Sequence, residues 1–206
     1  MKTCMKIIPL FAGLFLAAAS LGAAPFTLAS PAVKGISETG FDSGLKSAGR
    51  LDRLYAAKDT GPGNPRSFPF TWSSPPPGTK ALALVLDDPD ARLVLASRGM
   101  SGDAFLHWAV ADIDPALGGL PDNASASHPS FVQGKNGAGE IGYTGPQPPS
   151  NIPANARKPL IHVYRLTVYA LSAKTGLQNG FTLDRLMAAM KGKILGQAQL
   201  LLSYSN

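Results

Sequence analysis

Three strongly apolar stretches mark the principal predicted strands of this chain. KALALVLDDPD, residues 80–90, is apolar at every position from Ala81 to Leu86, which is typical of a central strand buried on both faces. AFLHWAVADID, residues 104–114, and LIHVYRLTVYAL, residues 160–171, predict two further strands. The body of the protein is therefore expected to be built around a β-sheet.

Two of these strands carry histidines among apolar neighbours. Because alternate residues of a strand point to opposite faces, His162 and Tyr164 are expected on one face. The same alternation separates His107 from Trp108. An isolated histidine in such a strand is more often a hydrogen-bonded core residue than a chemical group, so a functional role needs partners from elsewhere. The expected neighbours of His162 and Tyr164 are Leu166, Val168 and Ala170, and those of His107 are Phe105, Ala109 and Ala111.

The C-terminal region, TLDRLMAAMKGKILGQAQLLLSY, predicts a helix that covers one side of the sheet. Thr182 is a suitable N-cap. Gly192 is expected to interrupt or kink the helix, with an apolar stripe continuing beyond it. The helical spacing is carried by Leu183, Leu186, Met187 and Met190, and the continuing stripe by Ile194, Leu195, Ala198, Leu201 and Leu202.

The N-terminus has the layout of a secretory signal peptide. Two lysines precede an apolar run from Ile7 to about Ala19, and small residues follow, so residues 1–24 are predicted to be a leader cleaved within 19–24. The run is too short to span a bilayer, which leaves no integral membrane segment after processing. Export to the periplasm or secretion is expected, and the processed chain, residues 25–206, lacks cysteine because the single Cys4 lies in the leader.

Composition narrows the class of protein. With 206 residues, 45% hydrophobic and 16% charged, the chain suits one compact domain, and its 22 glycines and 18 prolines favour short strands and turns over a helical bundle. The net charge of +6 arises from scattered basic residues rather than a basic run. We therefore expect no nucleic-acid partner.

Several chemical motifs are weakened by their context. GAGEIG, residues 137–142, matches the dinucleotide pattern, but YTGPQPPS follows it and cannot begin the required helix. The histidines are not clustered, and the processed chain has no cysteine, so the sequence does not suggest a metal site. GMSGD, residues 99–103, lacks the last glycine of a hydrolase nucleophile elbow. No cofactor or metal is expected. DDPDA, residues 87–91, either caps a turn or contributes to a site at a strand end.

Five motifs in order resemble the phosphatidylethanolamine-binding protein family, also called Raf kinase inhibitor-like proteins, and most closely its bacterial branch. The likeness covers Phe68 to Tyr204. It implies a mainly β fold, an antiparallel β-sandwich with one or two C-terminal helices. The motifs are LVLDDPDA, LHWAV, GYTGPQPPS, HVYRLTVYAL and AAMKGKILGQAQLLLSY.

The resemblance also implies a small pocket for phosphate or phosphorylated head groups and a binding protein rather than an enzyme. An aspartate that accepts a hydrogen bond from one imidazole nitrogen would orient the ring toward the ligand. It would also raise the histidine pKa, so that binding weakens as pH rises. The implied pocket residues are Asp88, Asp90, His107, Gly145, Pro146, His162 and Tyr164.

Three residues, Arg92, Val163 and Lys193, stand where the family has other residues. Arg92 and Lys193 either add positive charge at the rim of the expected pocket or are solvated surface residues. The segment before His162 also looks longer than usual. A protein partner that is inhibited or scaffolded remains possible, and two other functions stay open. One is a hydrolase with His107 or His162 as general base, and the other is a protease inhibitor acting through the long 118–150 connection.

Overall fold

The computed structural model describes residues 24–35, 38–40, 43–46, 49–56, 66–97, 102–127, 130–148 and 161–205. The predicted leader lies outside the described residues except for Ala24, as does nearly all of the segment before His162 that looked unusually long.

The described residues contain ten strands and three helices. The strands are β1 (Leu28–Ala29), β2 (Val33–Lys34), β3 (Gly49–Leu51), β4 (Phe70–Trp72), β5 (Ala81–Asp88), β6 (Phe105–Ile113), β7 (Gly119–Leu120), β8 (Val132–Gln133), β9 (His162–Leu171) and β10 (Ile194–Tyr204). The helices are α1 (Arg92–Ser97), α2 (Ala124–Ser127) and α3 (Leu183–Met190), and short 3-10 turns span Arg53–Tyr55, Pro89–Ala91 and Pro115–Leu117.

The strands form a large sheet and a small one. The large sheet has the order β2-β3-β10-β9-β5-β6-β8, and the small sheet has the order β1-β4-β7. All the strand pairs are antiparallel except β3 with β10, which is parallel. The mainly β fold is therefore confirmed, and β5 occupies the interior position that its uninterrupted apolar run predicted.

Each face of the large sheet has its own apolar core. One face packs against the small sheet, where side chains of β4 and β7 meet those of β5, β6 and β9. The other face is covered by α3, which buries Leu186 and Met190 against alanines and a valine of β5 and β6. Covering both faces explains why β5 contains no alternation of polar and apolar positions.

The region after Gly192 differs from its prediction. Helix α3 begins after the predicted N-cap Thr182, but it ends at Met190, and residues 194–204 form a strand instead of a second helical stripe. Gly192 has a φ of +75°, a left-handed conformation that ends the helix and turns the chain. The strand then pairs with β9 along nearly its whole length, so sheet pairing decides the conformation of this apolar segment.

A β-bulge in β6 corrects the predicted orientation of His107. Leu86 pairs with Trp108 and Asp87 pairs with Leu106, which leaves His107 as an extra residue without a partner on β5. Trp108 belongs to the same apolar core as Tyr164, and the His107 ring also contacts Tyr164. His107 and Trp108 therefore lie on the same side of the sheet, whereas Ala109 and Ala111 face α3.

Replacing Gly192 by alanine should lower the free energy of unfolding by about 1–2 kcal/mol, because a Cβ is disfavoured in the left-handed conformation. Asparagine tolerates this conformation better, so Gly192→Asn should cost less. No neighbouring atom lies within 4 Å of a Cβ built at Gly192, which isolates the backbone effect from steric clash. Urea unfolding measures the change.

The matched control is Gly35→Ala, at a second glycine with open space around its Cβ and no positive φ. That substitution should be neutral or slightly stabilising. Equal losses at Gly192 and Gly35 would contradict the assignment of a conformational role to Gly192.

Candidate functional site

The end of the central strand β5 brings together side chains from three strands. Asp88 is the last residue of β5, His107 lies near the start of β6, and His162 and Tyr164 open β9. All four are buried, with exposed fractions between 0 and 4%. Residues that are far apart in the chain therefore meet because β5 is flanked by β6 and β9.

Asp88 connects the turn that follows β5 to the histidine of β9. Its Oδ1 accepts a hydrogen bond from the backbone N–H of Ala91 at 3.1 Å, which caps the 3-10 turn Pro89–Ala91. Its Oδ2 lies 2.8 Å from Nδ1 of His162. Because a carboxylate can only accept, the imidazole donates from Nδ1, and Asp88 orients the ring. The two sequence-based interpretations of DDPDA, a cap and a site residue, thus describe the same side chain.

Thr144 holds both the backbone and the ring of His107. The backbone N–H of Thr144 donates to the carbonyl of His107 at 2.9 Å, and Nδ1 of His107 lies 2.8 Å from the Thr144 carbonyl oxygen. The other ring nitrogen, Nε2, lies 4.0 Å from Oδ2 of Asp88. Phe105 and Tyr164 contact the ring edge-on, with centroid separations of 4.9 and 5.1 Å.

The electrostatic environment of His107 differs from the sequence-based expectation. Burial lowers the pKa of His107, and this effect outweighs the opposing influence of the Asp88 carboxylate and the hydrogen bond to Thr144. The expectation of a raised pKa is therefore wrong for His107, because an aspartate 4.0 Å away does not compensate for the loss of water. The neutral imidazole is the favoured form.

Tyr164 contributes a hydroxyl group with unused hydrogen-bonding capacity. Its oxygen is fully buried and has no hydrogen-bond partner among the described residues. Burial, followed by the negative charge of Asp88, raises the pKa of Tyr164 well above its ordinary value, so the phenol keeps its proton. A buried donor without a partner costs free energy and marks a position that a ligand could satisfy.

Asp90 lies beside this cluster but has different partners. Its carboxylate accepts hydrogen bonds from the backbone N–H of Ser43 at 2.6 Å, from Ser43 Oγ at 3.0 Å and from the backbone N–H of Val163 at 2.8 Å. A Cβ at Gly40 would collide with this carboxylate, so the chain approaches it closely there as well. Asp90 thereby fastens the 40–46 region and β9 to the turn after β5.

Gly145 and Pro146 follow Thr144 directly and are both buried. The two hydrogen bonds between Thr144 and His107 bring this segment alongside the start of β6. Sequence reasoning selected Gly145 and Pro146 but not Thr144, which acts through its backbone and leaves no signal in its residue type.

The three departures at the expected rim lie in different places. Val163 is buried on the face opposite His162, and its backbone N–H binds Asp90. Lys193 precedes β10 at the end far from the site, where its Nζ donates to the carbonyl of Lys174 at 3.1 Å. Lys193 therefore does not add charge to the rim. Arg92 is exposed and begins α1 at the site end of β5.

In the described ranges, no group of three or more histidine, cysteine, aspartate or glutamate side chains is arranged to hold a metal ion. None of the helices that the structure describes has the length and apolar character required to cross a bilayer.

Comparison with known proteins agrees with this arrangement of strands and side chains. The family model for phosphatidylethanolamine-binding protein matches residues 42–205. The chain belongs to the phosphatidylethanolamine-binding protein family. The family resemblance drawn from the five ordered motifs is thereby confirmed.

Relatives in this family come from archaea and bacteria. The chain is 33% identical over 156 residues to a UPF0098 protein of Methanothermobacter thermautotrophicus, covering 74% of this chain and 89% of that protein. It is 36% identical over 132 residues to a Mycobacterium tuberculosis protein that carries the name lipoprotein LppC, covering 64% of this chain and 56% of that protein. The crystal structure of the Chlamydia trachomatis protein CT736, described as a phosphatidylethanolamine-binding protein homolog, matches with a TM-score of 0.66 and 28% identity. That match covers 88% of this chain and 97% of CT736.

Acid should destabilise the protein partly through His107. The unfolded chain protonates this imidazole at a pKa near 6.5, whereas burial lowers the pKa of His107 in the folded state. Below about pH 6.5 the unfolded state therefore binds more protons, and the free energy of unfolding falls as pH decreases toward the folded-state pKa. The variant His107→Asn retains a side-chain donor for Thr144 and lacks this titration.

Urea unfolding of wild type and His107→Asn at pH 7 and pH 5 measures the effect. The stability advantage of the wild type should shrink at pH 5, because the other acid-sensitive groups are common to both proteins. An advantage that stays constant or grows at pH 5 would contradict the lowered pKa of His107.

Asp90→Asn should lower the free energy of unfolding by about 2–4 kcal/mol, since the amide weakens two backbone hydrogen bonds and turns a donor toward other donors. The exposed Asp103 provides the control, and Asp103→Asn should change stability by less than about 0.5 kcal/mol. Chemical denaturation of both variants measures the two changes in the free energy of unfolding. A loss at Asp90 no larger than that at Asp103 would rule out the fastening role.

Proposed function

We propose that this protein is an exported, non-enzymatic binding protein that holds a small phosphate-like anion or a phosphorylated head group at the end of β5. The ligand is held by side chains of β5, β6 and β9 and by the backbone of the segment after Thr144. The proposed binding residues are Asp88, His107, Gly145, Pro146, His162 and Tyr164, with Asp90 as a supporting neighbour.

The buried hydroxyl of Tyr164 carries this proposal. Two imidazole rings lie beside the Tyr164 ring, with centroid-to-centroid distances of 5.1 Å for His107 and 6.4 Å for His162. A phenol that keeps its proton and has no partner in the ranges that the structure describes is an available donor. A negatively charged oxygen forms the strongest hydrogen bond with such a donor. A purely structural tyrosine in this core would do better as phenylalanine.

His162 supplies the second element of the proposed site. Asp88 accepts from Nδ1, so Nε2 on the opposite edge of the ring is directed away from the carboxylate. Holding the ring in one orientation before the ligand arrives lowers the entropic cost of binding. The negative charge of Asp88 repels an anion, but two hydrogen bonds already occupy this carboxylate. Asp88 must be a hydrogen-bond acceptor because it orients His162 by accepting from Nδ1.

Binding rather than catalysis is favoured by the family, whose name denotes binding of phosphatidylethanolamine. His107 or His162 would be the general base of a hydrolase at this site. His107 already directs Nδ1 to a backbone carbonyl, and Asp88 holds Nδ1 of His162. Turnover of a phosphoester or peptide panel would point to the hydrolase, and inhibition of a protease through the 118–150 connection would be a separate activity.

Export is supported by two independent features. Residues 1–24 have the order of charged, apolar and small residues that characterises a secretory leader. The M. tuberculosis relative carries the name lipoprotein LppC. We therefore place the proposed binding activity in the periplasm or outside the cell.

Removal of the Tyr164 hydroxyl should weaken phosphate binding without harming the fold. We expect Tyr164→Phe to bind inorganic phosphate about 10-fold or more weakly, because one hydrogen bond to a charged group is lost. The free energy of unfolding of the unliganded protein should stay the same or rise, since the hydroxyl has no partner to lose within the described part of the chain. Isothermal titration calorimetry and urea unfolding measure the two effects.

Tyr169 offers a matched control on the same strand. It points to the opposite face of β9 and is half-buried, so Tyr169→Phe should leave phosphate affinity unchanged. His162→Ala should weaken binding as Tyr164→Phe does. Wild-type protein that does not bind phosphate, or affinity that is unaffected in both site variants, would refute the proposed site.

A further inference from the structure

We propose that the site selects phosphate groups that carry a proton of their own, namely inorganic phosphate and phosphomonoesters, over sulfate and over the phosphodiester of an intact phospholipid. This inference rests on the proposed anion-binding function and specifies its ligand. It follows from a pair of hydrogen-bond acceptors that His107 and Asp88 present beside the donor Tyr164.

The first acceptor is Nε2 of His107. The 2.8 Å contact between Nδ1 and the Thr144 carbonyl requires the proton on Nδ1, because a carbonyl oxygen cannot donate. In a neutral imidazole the other nitrogen then carries a lone pair. Thr144 therefore fixes the tautomer of His107 and makes Nε2 an acceptor.

The second acceptor is Oδ2 of Asp88, which has already received one hydrogen bond from His162. Nε2 of His107 and Oδ2 of Asp88 are 4.0 Å apart, too far for a direct hydrogen bond and with no proton between them when the ring is neutral. A single donor atom can lie about 2.8 Å from both of them. A P–O–H group provides such a donor.

Ligands without a proton are penalised at this position. A sulfate oxygen, or a bare oxygen of a phosphodiester, would face the imidazole lone pair and the carboxylate with no hydrogen between them. Leaving an acceptor buried against another acceptor forfeits a hydrogen bond and adds repulsion. The remaining phosphate oxygens still need donors, and Tyr164 with its unused hydroxyl supplies one.

The groups around His107 agree with a neutral ring. Asp88 on β5 and Tyr164 on β9 lie beside the ring, and Asp87 and His162 influence it electrostatically. Burial lowers the pKa of His107 despite both carboxylates, which leaves Nε2 unprotonated at neutral pH. A ligand that carries a P–O–H group and a neutral imidazole are therefore the complementary pair.

The test is calorimetric titration of the protein at pH 6 with inorganic phosphate, methyl phosphate, dimethyl phosphate and sulfate. The first two should bind about 10-fold or more tightly than the last two, the difference expected from one hydrogen bond to a charged group. At pH 6 the average net charge of inorganic phosphate and of methyl phosphate lies between −1, the charge of dimethyl phosphate, and −2, the charge of sulfate. Net charge alone therefore cannot produce the expected order. Methyl phosphate represents free monoesters, and dimethyl phosphate represents the phosphodiester of a lipid.

A second titration at pH 8 varies the ligand proton within one compound. The second pKa of a phosphomonoester is about 6, so methyl phosphate has lost nearly all of its P–O–H form at pH 8 and should bind roughly 10-fold or more weakly. Inorganic phosphate retains one P–O–H at pH 8 and should lose less affinity. Sulfate does not titrate in this range, so any change in its affinity between pH 6 and pH 8 comes from the protein. That change is subtracted from the change measured for methyl phosphate.

His107→Asn removes the Nε2 acceptor and keeps a donor for Thr144, so the preference for methyl phosphate over dimethyl phosphate should fall to within about 3-fold. Asp88→Asn is the second variant, in case His107→Asn does not fold, and should also reduce the preference. Tyr169→Phe serves as the folded control and should retain it. An unchanged preference in a folded His107→Asn or Asp88→Asn protein would overturn the acceptor pair.

The outcomes also separate this inference from the function on which it rests. Equal affinities for methyl phosphate, dimethyl phosphate and sulfate at pH 6, with binding still dependent on Tyr164, would overturn the selection while retaining the anion site. Absence of binding for all four anions would overturn the anion site and the selection together.

Discussion

The candidate site depends on one buried carboxylate at the end of the central strand. Asp88 stops β5 by capping the turn that follows it and, with its second oxygen, holds His162 of the neighbouring strand. A buried charge is tolerated only when hydrogen bonds replace the lost water, and the backbone N–H of Ala91 and the imidazole of His162 do so. The same two bonds that stabilise the charge give the ring its orientation, so the requirements of the fold and of a binding site coincide in this residue.

Asp90, the neighbouring carboxylate, has a different structural role from Asp88. Asp90 is two positions further along the DPD turn, yet its oxygens bind the backbone of two other segments. The sequence offers no basis for separating the two, because both are aspartates within one short turn. Their roles depend on which donors the later strands bring near, and that is decided by tertiary packing alone.

The predictability of the remaining structure follows the same distinction between local and tertiary causes. Strands β5, β6 and β9 were predictable from their apolar runs, and the start of α3 from Thr182 and the helical spacing after it. Strand β10 was not, since ILGQAQLLLSY satisfies an apolar helical stripe as well as a strand until β9 and β3 lie on either side of it. The candidate site residues were predicted from motifs, whereas the Thr144 carbonyl and the tautomer it imposes on His107 have no signature in residue type.

The β-bulge in β6 has a consequence for the way this chain tolerates change. Upstream of the bulge, Phe105 faces the site, and downstream Trp108 and Val110 fill the core between the sheets, so the extra residue resets the alternation of the strand. Deleting a single amino acid here would invert either the half of β6 that serves the site or the half that serves the core. Insertions and deletions should therefore be rarer at this point of β6 than conservative replacements, even though the strand there is irregular.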